Sequence, residues 1–306
     1  MLERIALVST FICLMGDLAW AEEYPLWKVY NDYFFDAKYV DITHAFSPDI
    51  PVWFGYGKAK FAPAKANKEL PGYSKKGEVF TYEKHGFVAT SYSLPTDQYG
   101  TQLDPPAHWD SYYPTIDELP PTYTIRPLVV IDIHKKVAEN HGYHCSVDDI
   151  EAWEKKHGKI LPGAVVMVRS DWSKKWSSKD FAQKPFPGIS LDVLKFLHKK
   201  RRILFHGHEP LDTDTTPHLE GEYWLMHNGY CQAEGVTNLW MVPEAGALIA
   251  IGFAKPMGGT GGYARYIAIC PPDWKYGVSI KEALGAPLPK SDKPLHWDED
   301  QGMRVR

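Results

Sequence analysis

Two short runs of apolar residues dominate the middle of the chain: Leu128-Val129-Val130-Ile131 and Ala164-Val165-Val166-Met167-Val168. Runs this short and this β-branched predict strands covered on both faces. Residues 39–43, 203–205, 242–253 and 263–269 also read as strands, and 80–94 alternates as a hairpin would. Helical spacing appears at 22–39, where Trp27, Tyr30, Tyr33 and Phe34 share a face, and after two serines. Ser146, with Asp149 three residues on, sits in capping-box positions, and Ser190 precedes a helix over 191–200. A short helix near 222–228 is stopped by Gly229. Residues 58–77 and 112–121 are loop-like, and the polar, Pro-rich tail from Pro271 reads as an arm onto a partner subunit. Strands and helices follow one another without a regular βαβ rhythm, and neither a repeat nor a linker divides residues 22–306, which predicts one domain.

One stretch departs from this apolar background. From Asp97 to Trp109, the polar side chains Gln98, Gln102, Asp104 and His108 fall on one parity, and Leu103, Ala107 and Trp109 fall on the other. In extended chain, alternate side chains share a face, so two amides, a carboxylate and an imidazole converge while the apolar set packs. Pro105-Pro106 must interrupt any ladder and re-aim His108. Such a group suits metal binding or acid–base chemistry; a plain edge strand with a solvated histidine gives the same alternation.

Composition narrows the field only modestly. The 306 residues are 44% hydrophobic and 24% charged, with a formal charge of −4, so neither nucleic acid nor an acidic membrane surface is favoured as a partner. Eleven Trp and 18 Tyr supply material for a small-molecule pocket. Arg4, the apolar residues 5–15 and Ala19-Trp20-Ala21 form a secretory leader over residues 1–21, too short to span a bilayer, which needs about 20 helical residues. A secreted or periplasmic protein starting near Glu22 is expected. Beyond the leader only Cys145, Cys231 and Cys270 remain, unpaired in spacing, which predicts buried thiols rather than a disulfide framework.

The row Gln98-Tyr99-Gly100-Thr101-Gln102-Leu103-Asp104-Pro105-Pro106-Ala107-His108 resembles the signature of the cyclase family of metal-dependent hydrolases, His-x-Gly-Thr-His-x-Asp-x-Pro-x-His. Gly100, Thr101, Asp104, Pro106 and His108 match in place, whereas Gln98 and Gln102 stand where the family carries metal-binding histidines. Other blocks are similar to the family's too. The segment around Trp53 and Phe54 stands where relatives wall the substrate pocket, and Arg169-Ser170-Asp171-Trp172 has Asp in place of a glycine. His206 to Asp214 resembles a Gly-x-Asp-x-x-Ser-x-Asp turn with Glu209 for Asp. The resemblance implies a single α/β domain, a barrel-like, mostly antiparallel β core with surrounding helices, and a homo-oligomer acting on a small-molecule substrate.

It also implies one or two divalent metal ions, Mn, Mg or Zn. A helical ligand and Glu234 complete the family's site, and two registers compete for the former: Glu222, twelve residues before Glu234, and His227, seven before it. The ligands expected are Gln98, Gln102, Asp104, Glu222 and Glu234, with Trp53, Phe54, His208, Glu209 and His227 binding substrate and His108 catalytic. Trading imidazoles for amide and carboxylate oxygens shifts the preference from zinc toward Mn or Mg. The function implied is hydrolysis of an amide, lactam or lactone by metal-activated water, with His108 moving the proton. A non-catalytic periplasmic binding protein of the same fold, or a glycoside hydrolase using the carboxylates beside Trp residues, are the alternatives.

Overall fold

The computed structural model describes residues 24–306; the expected leader, 1–21, lies outside the described residues. Eight strands form one sheet: β1 (Lys38–Asp41), β2 (Gln102–Asp104), β3 (Arg126–Asp132), β4 (Val165–Arg169), β5 (Phe205–His208), β6 (Cys231–Glu234), β7 (Ala247–Phe253) and β8 (Gly262–Cys270). Their spatial order is β1-β8-β7-β3-β4-β5-β6-β2, and β2 also pairs with β8, so all but β1 close into a seven-membered barrel. Four pairings around the ring are antiparallel and three, β3–β4, β4–β5 and β5–β6, are parallel.

The parallel block corrects one expectation. Helices α1 (Val147–His157), α2 (Leu191–Lys195, continued by a π-turn over Phe196–Arg201) and α3 (Glu220–Met226) each cross between consecutive parallel strands, so a βαβ rhythm does run through this third of the chain. It is disguised in sequence by short strands and by the irregular segment between β4 and α2. The caps behave as expected: Ser146 and Asp149 form a reciprocal capping box, and the Ser190 side chain accepts from Val193 N–H. Residues 80–94 are not a hairpin. Thr90–Ser93 instead pairs with Lys60–Pro63, inside the presumed loop, and Tyr82–His85 is a helical turn.

Period-two alternation sorts the strand residues into two cores. Leu103, Leu128, Val130, Val165, Met167, Phe205 and Ala233 fill the barrel interior, while Val129, Ile131, Val166 and Val168 pack outward against Ile150, Trp153, Leu194, Leu197 and Leu225 from the helices. Gln102, Asp104, His206, His208, Gln232 and Glu234 take the outward parity, so the polar side chains sit between the sheet and the helical layer, buried. Cys145, Cys231 and Cys270 are free, buried thiols.

Met167 is fully buried inside the barrel and occupies the space that a side chain at Gly207 would need. Met167→Ala is expected to cost about 2–5 kcal/mol through the cavity it leaves. Urea unfolding measures this directly, and a loss well under 1 kcal/mol would mean that the barrel interior is not the close-packed core described.

Candidate active site

The site is assembled where β2 inserts between β6 and β8. Antiparallel register sets Gln102 opposite Glu234 and Asp104 opposite Gln232, on the helix-facing side. The Gln102 amide nitrogen lies 2.9 Å from Glu234 Oε2 and 3.4 Å from Asp104 Oδ2. Gln232 mirrors it, its amide nitrogen 3.0 Å from Glu234 Oε1 and 3.5 Å from Asp104 Oδ2. Two neutral amides therefore tie together two buried carboxylates.

Glu222 comes from the first turn of α3. Asp214 positions that helix: its Oδ1 accepts from Thr216 N–H at 2.8 Å and its Oδ2 from Gly221 N–H at 2.9 Å, one residue before Glu222. Glu222 then accepts from the Trp109 indole N–H at 3.1 Å and lies 3.9 Å from His108 Nε2. Of the two competing registers, Glu222 is the side chain that faces the cluster. His227 sits on the outer side of α3's end, stacked on Tyr223, with Nδ1 2.9 Å from the Tyr223 carbonyl. The helix stops before it can turn His227 inward.

His108 lies on a 3-10 turn, Pro106–His108, which the prolines impose after β2, as their placement implied. Its Nδ1 is 2.7 Å from the Gln98 amide nitrogen. Gln98 in turn accepts from the Tyr56 hydroxyl at 3.1 Å and faces the Thr260 carbonyl at 3.4 Å. The glycine-rich turn carrying Thr260 is held against the motif by Asp97, whose Oδ2 accepts from Thr260 N–H at 2.8 Å and Gly261 N–H at 3.0 Å.

These groups open onto a cavity of about 260 Å³. Its lining combines Trp53, Tyr56, Trp109, Leu211 and Leu219 with the polar side chains Gln98, Gln102, His108, Asp212, Glu222 and Glu234. Among the described residues, no lysine or arginine lines it. Burial accordingly drives the titrations. Desolvation pushes the Asp104 carboxyl up to about 7 against the hydrogen bonds from Gln232 and Gln102. Burial and the neighbouring carboxylates raise Glu222 and Glu234 well above the usual range, and burial lifts Asp212 to about 7. Burial also lowers His108 to about 4, so its imidazole is neutral at neutral pH.

Four of the expected substrate contacts lie elsewhere. Phe54 is exposed beyond Trp53, its ring 4.2 Å away, and lines a shallower crevice outside the cavity. His208 is fully buried behind the cluster; its Nδ1 donates to the Pro210 carbonyl at 3.1 Å, and its Nε2 lies 3.7 Å from Glu234 Oε1. Glu209 points away, accepting from Ser170 Oγ–H at 2.9 Å and Ser173 N–H at 3.1 Å, and serves the loop after β4. His227 is the fourth. Trp109, assigned by parity to the packing face, instead lines the cavity, because the 3-10 turn breaks the alternation before it. Gln232 went unnoticed although it precedes Glu234 by two residues on the same strand and so shares its face. Asp212 falls within the ligand-rich stretch His206 to Asp214, at the serine position of the family-like turn, whereas Tyr56 and Leu219 carry no signal of their own in the sequence.

Several acceptors in the cluster lack any donor: Gln102 Oε1, Asp104 Oδ1 and Glu222 Oε2 are buried without a hydrogen-bond partner. Leaving such oxygens unmatched is costly, and a proton or a cation relieves it. Among the described residues, no three His, Cys, Asp or Glu side chains are grouped so as to hold a metal ion alone. A cation here therefore draws on the Gln102 amide oxygen as well as on carboxylates.

Linkage gives this cluster a testable signature. Carboxyls whose folded pKa is raised contribute stability that is present below their unfolded value and lost as pH rises through the folded one. The buried histidines titrate with the opposite sign, but above about pH 7.5 they are neutral in both states and drop out. Chelator-treated protein is thus expected to lose thermal stability as pH rises above about 7.5, and Glu234→Gln to flatten that slope. An identical slope in the variant would remove Glu234 from the raised group.

Residues 40–215 match the model of the Cyclase family, "Putative cyclase". The isatin hydrolase of Roseibium aggregatum is 26% identical over 256 residues, which are 77% of this chain and 93% of that protein. Isatin hydrolase A from Labrenzia aggregata bound to benzyl benzoate superposes with a TM-score of 0.69 at 25% identity, covering 82% of this chain and 99% of that one. For isatin hydrolase A from Ralstonia solanacearum the TM-score is 0.65 at 24% identity over 87% and 100% of the two chains, a likeness of fold.

Proposed function

Because this chain belongs to the Cyclase family, we propose that it is a metal-dependent hydrolase opening the amide, lactam or lactone bond of a small aryl compound. The observation carrying this reading is the set of buried, unpartnered oxygens on Asp104, Gln102 and Glu222, next to Glu234, at an aromatic cavity beside a neutral imidazole. The orphaned oxygens fit a divalent cation. Asp104, Glu234 and the Gln102 amide oxygen would hold it, with Glu222 facing it. Oxygen donors of this kind suit Mn or Mg better than zinc. Bound there, such a cation polarises the scissile carbonyl and lowers the pKa of water.

The remaining work falls to the protein. Trp53, Tyr56 and Trp109 offer flat faces for an aryl ring, and the volume suits one small bicyclic molecule, given that benzene occupies engineered cavities of about 150 Å³. The relative's isatin, an aryl lactam by its chemistry, is a substrate of this class. His108, kept neutral by burial, holds and moves the proton at Nε2, which faces Glu222. Asp212, next to Leu211 in the chain, adds a further carboxyl group to the cavity lining. We assign the protein to the periplasm or the medium on its leader, and N-terminal sequencing of exported protein should begin near Glu22.

Two measurements test the enzyme reading. Protein purified without chelator should contain a stoichiometric divalent metal by mass spectrometry and hydrolyse aryl lactams or N-acyl anilides, with EDTA abolishing and Mn²⁺ or Mg²⁺ restoring turnover. Full activity in metal-free protein would overturn it, as would tight binding without turnover. His108→Ala is expected to lower kcat by about 10²–10⁴ while metal content is unchanged; a kinetically silent change would take His108 out of the reaction.

A further inference from the structure

The orientation of one amide fixes the role of the catalytic imidazole. Three partners surround the Gln98 side chain: the Thr260 carbonyl, the Tyr56 hydroxyl and His108 Nδ1. A carbonyl only accepts, so the Gln98 atom facing Thr260 must be the nitrogen. That nitrogen is also the atom 2.7 Å from His108 Nδ1, and an amide NH₂ only donates. Nδ1 must therefore be the bare, accepting nitrogen. In the neutral imidazole the single proton is then on Nε2, which points at Glu222 Oε1, 3.9 Å away. The Tyr56 hydroxyl, able to donate or accept, donates to Gln98 Oε1 at 3.1 Å and holds the amide in place, while the Thr260 carbonyl sets its orientation.

We propose that Gln98, braced by Tyr56 and the Thr260 carbonyl, is a positioning residue that holds His108 as its Nε2–H tautomer, so that the imidazole enters the reaction as proton donor to the leaving group. This rests on the hydrolase reading above for its chemistry, though not for its geometry. A water oxygen forms the new C–O bond and passes one proton to Glu222, which a cation beside it would hold as the carboxylate. The C–N bond breaks as the departing nitrogen takes the proton from His108 Nε2, leaving an imidazolate whose Nδ1 accepts from the Gln98 NH₂. Glu222 then returns its proton to Nε2, and the cycle balances without a further reactant. A residue at position 98 that can only accept would put the proton on Nδ1 instead and leave Nε2 without one to give.

Nitrogen-15 NMR of the histidine-labelled full chain in Mg²⁺ at neutral pH reads the tautomer directly. The wild type should show an unprotonated Nδ1 and a protonated Nε2 at His108. Gln98→Glu should protonate Nδ1, and the uncharged Gln98→Met and Tyr56→Phe should give mixed tautomers. In kinetics, Gln98→Glu should lower kcat for an N-acyl anilide by about 10²-fold or more. The matching 4-nitrophenyl ester, whose leaving group needs no acid, should lose far less. A wild-type proton on Nδ1, an unchanged tautomer in all three variants, or equal losses on both probes would overturn the proposal. Failure of the wild type to turn over either probe would instead remove the hydrolase reading, with the NMR spectrum still deciding the tautomer.

Discussion

The desolvation of Asp104 and Glu234 is the constraint around which this structure is built. Two carboxylates, brought side by side by the register of β2 against β6, sit fully buried, and among the described residues no lysine or arginine lines the cavity beside them. Charges in such a setting are tolerated only when something positive or protic is shared between them. The chain answers partly with its own amides, Gln102 and Gln232, each reaching both acids. What the amides leave unmatched is the chemical opportunity. Unmatched acceptor oxygens facing a cavity are a liability in a structural protein and a ligand set in an enzyme.

Seen from that centre, the rest of the fold is support. The parallel strands β3 to β6 and their crossover helices hold β6 rigid, and Asp214 pins the start of α3 so that Glu222 faces the cluster. Aromatic residues come from two separated segments, Trp53 and Tyr56 from one and Trp109 from the other, to line the cavity beside the acids. At position 171 the backbone takes up the left-handed conformation that favours glycine, and Asp171 adopts it with φ 60°. Aspartate is among the few side chains that do so at modest cost. That substitution therefore leaves the turn intact, whereas the exchange of histidine for Gln98 and Gln102 changes the donor chemistry itself.

Much of this was legible in the chain because the signals were periodic. The polar row of Gln98, Gln102, Asp104 and His108 could be placed on one face by parity, and Pro105-Pro106 announced the turn that re-aims the imidazole. The buried strands 126–132 and 165–169 were visible as apolar runs. What escaped notice depends on tertiary contact rather than on period. Trp109 changes face because the 3-10 turn abolishes the alternation that assigned it. His208, Glu209 and His227 look like ligands by type, but a buried carbonyl, two serines and an early helix stop claim them first. Tyr56 and Asp212 reach the cavity from loops whose path no local pattern encodes.

Closure of the barrel carries one more consequence. Strand β2 is held on one side by residues 231–234 and on the other by only two register pairs, Gly262 with Leu103 and Tyr263 with Gln102. Both partners lie far downstream in the polypeptide, so the entropy of closing long loops must be met before any of these pairs can form. A nascent chain released before residue 231 would hold Gln102 and Asp104 with neither Gln232 nor Glu234 to set against them. Competence for chemistry thus arrives late and all at once, when the final strands zip the ring shut.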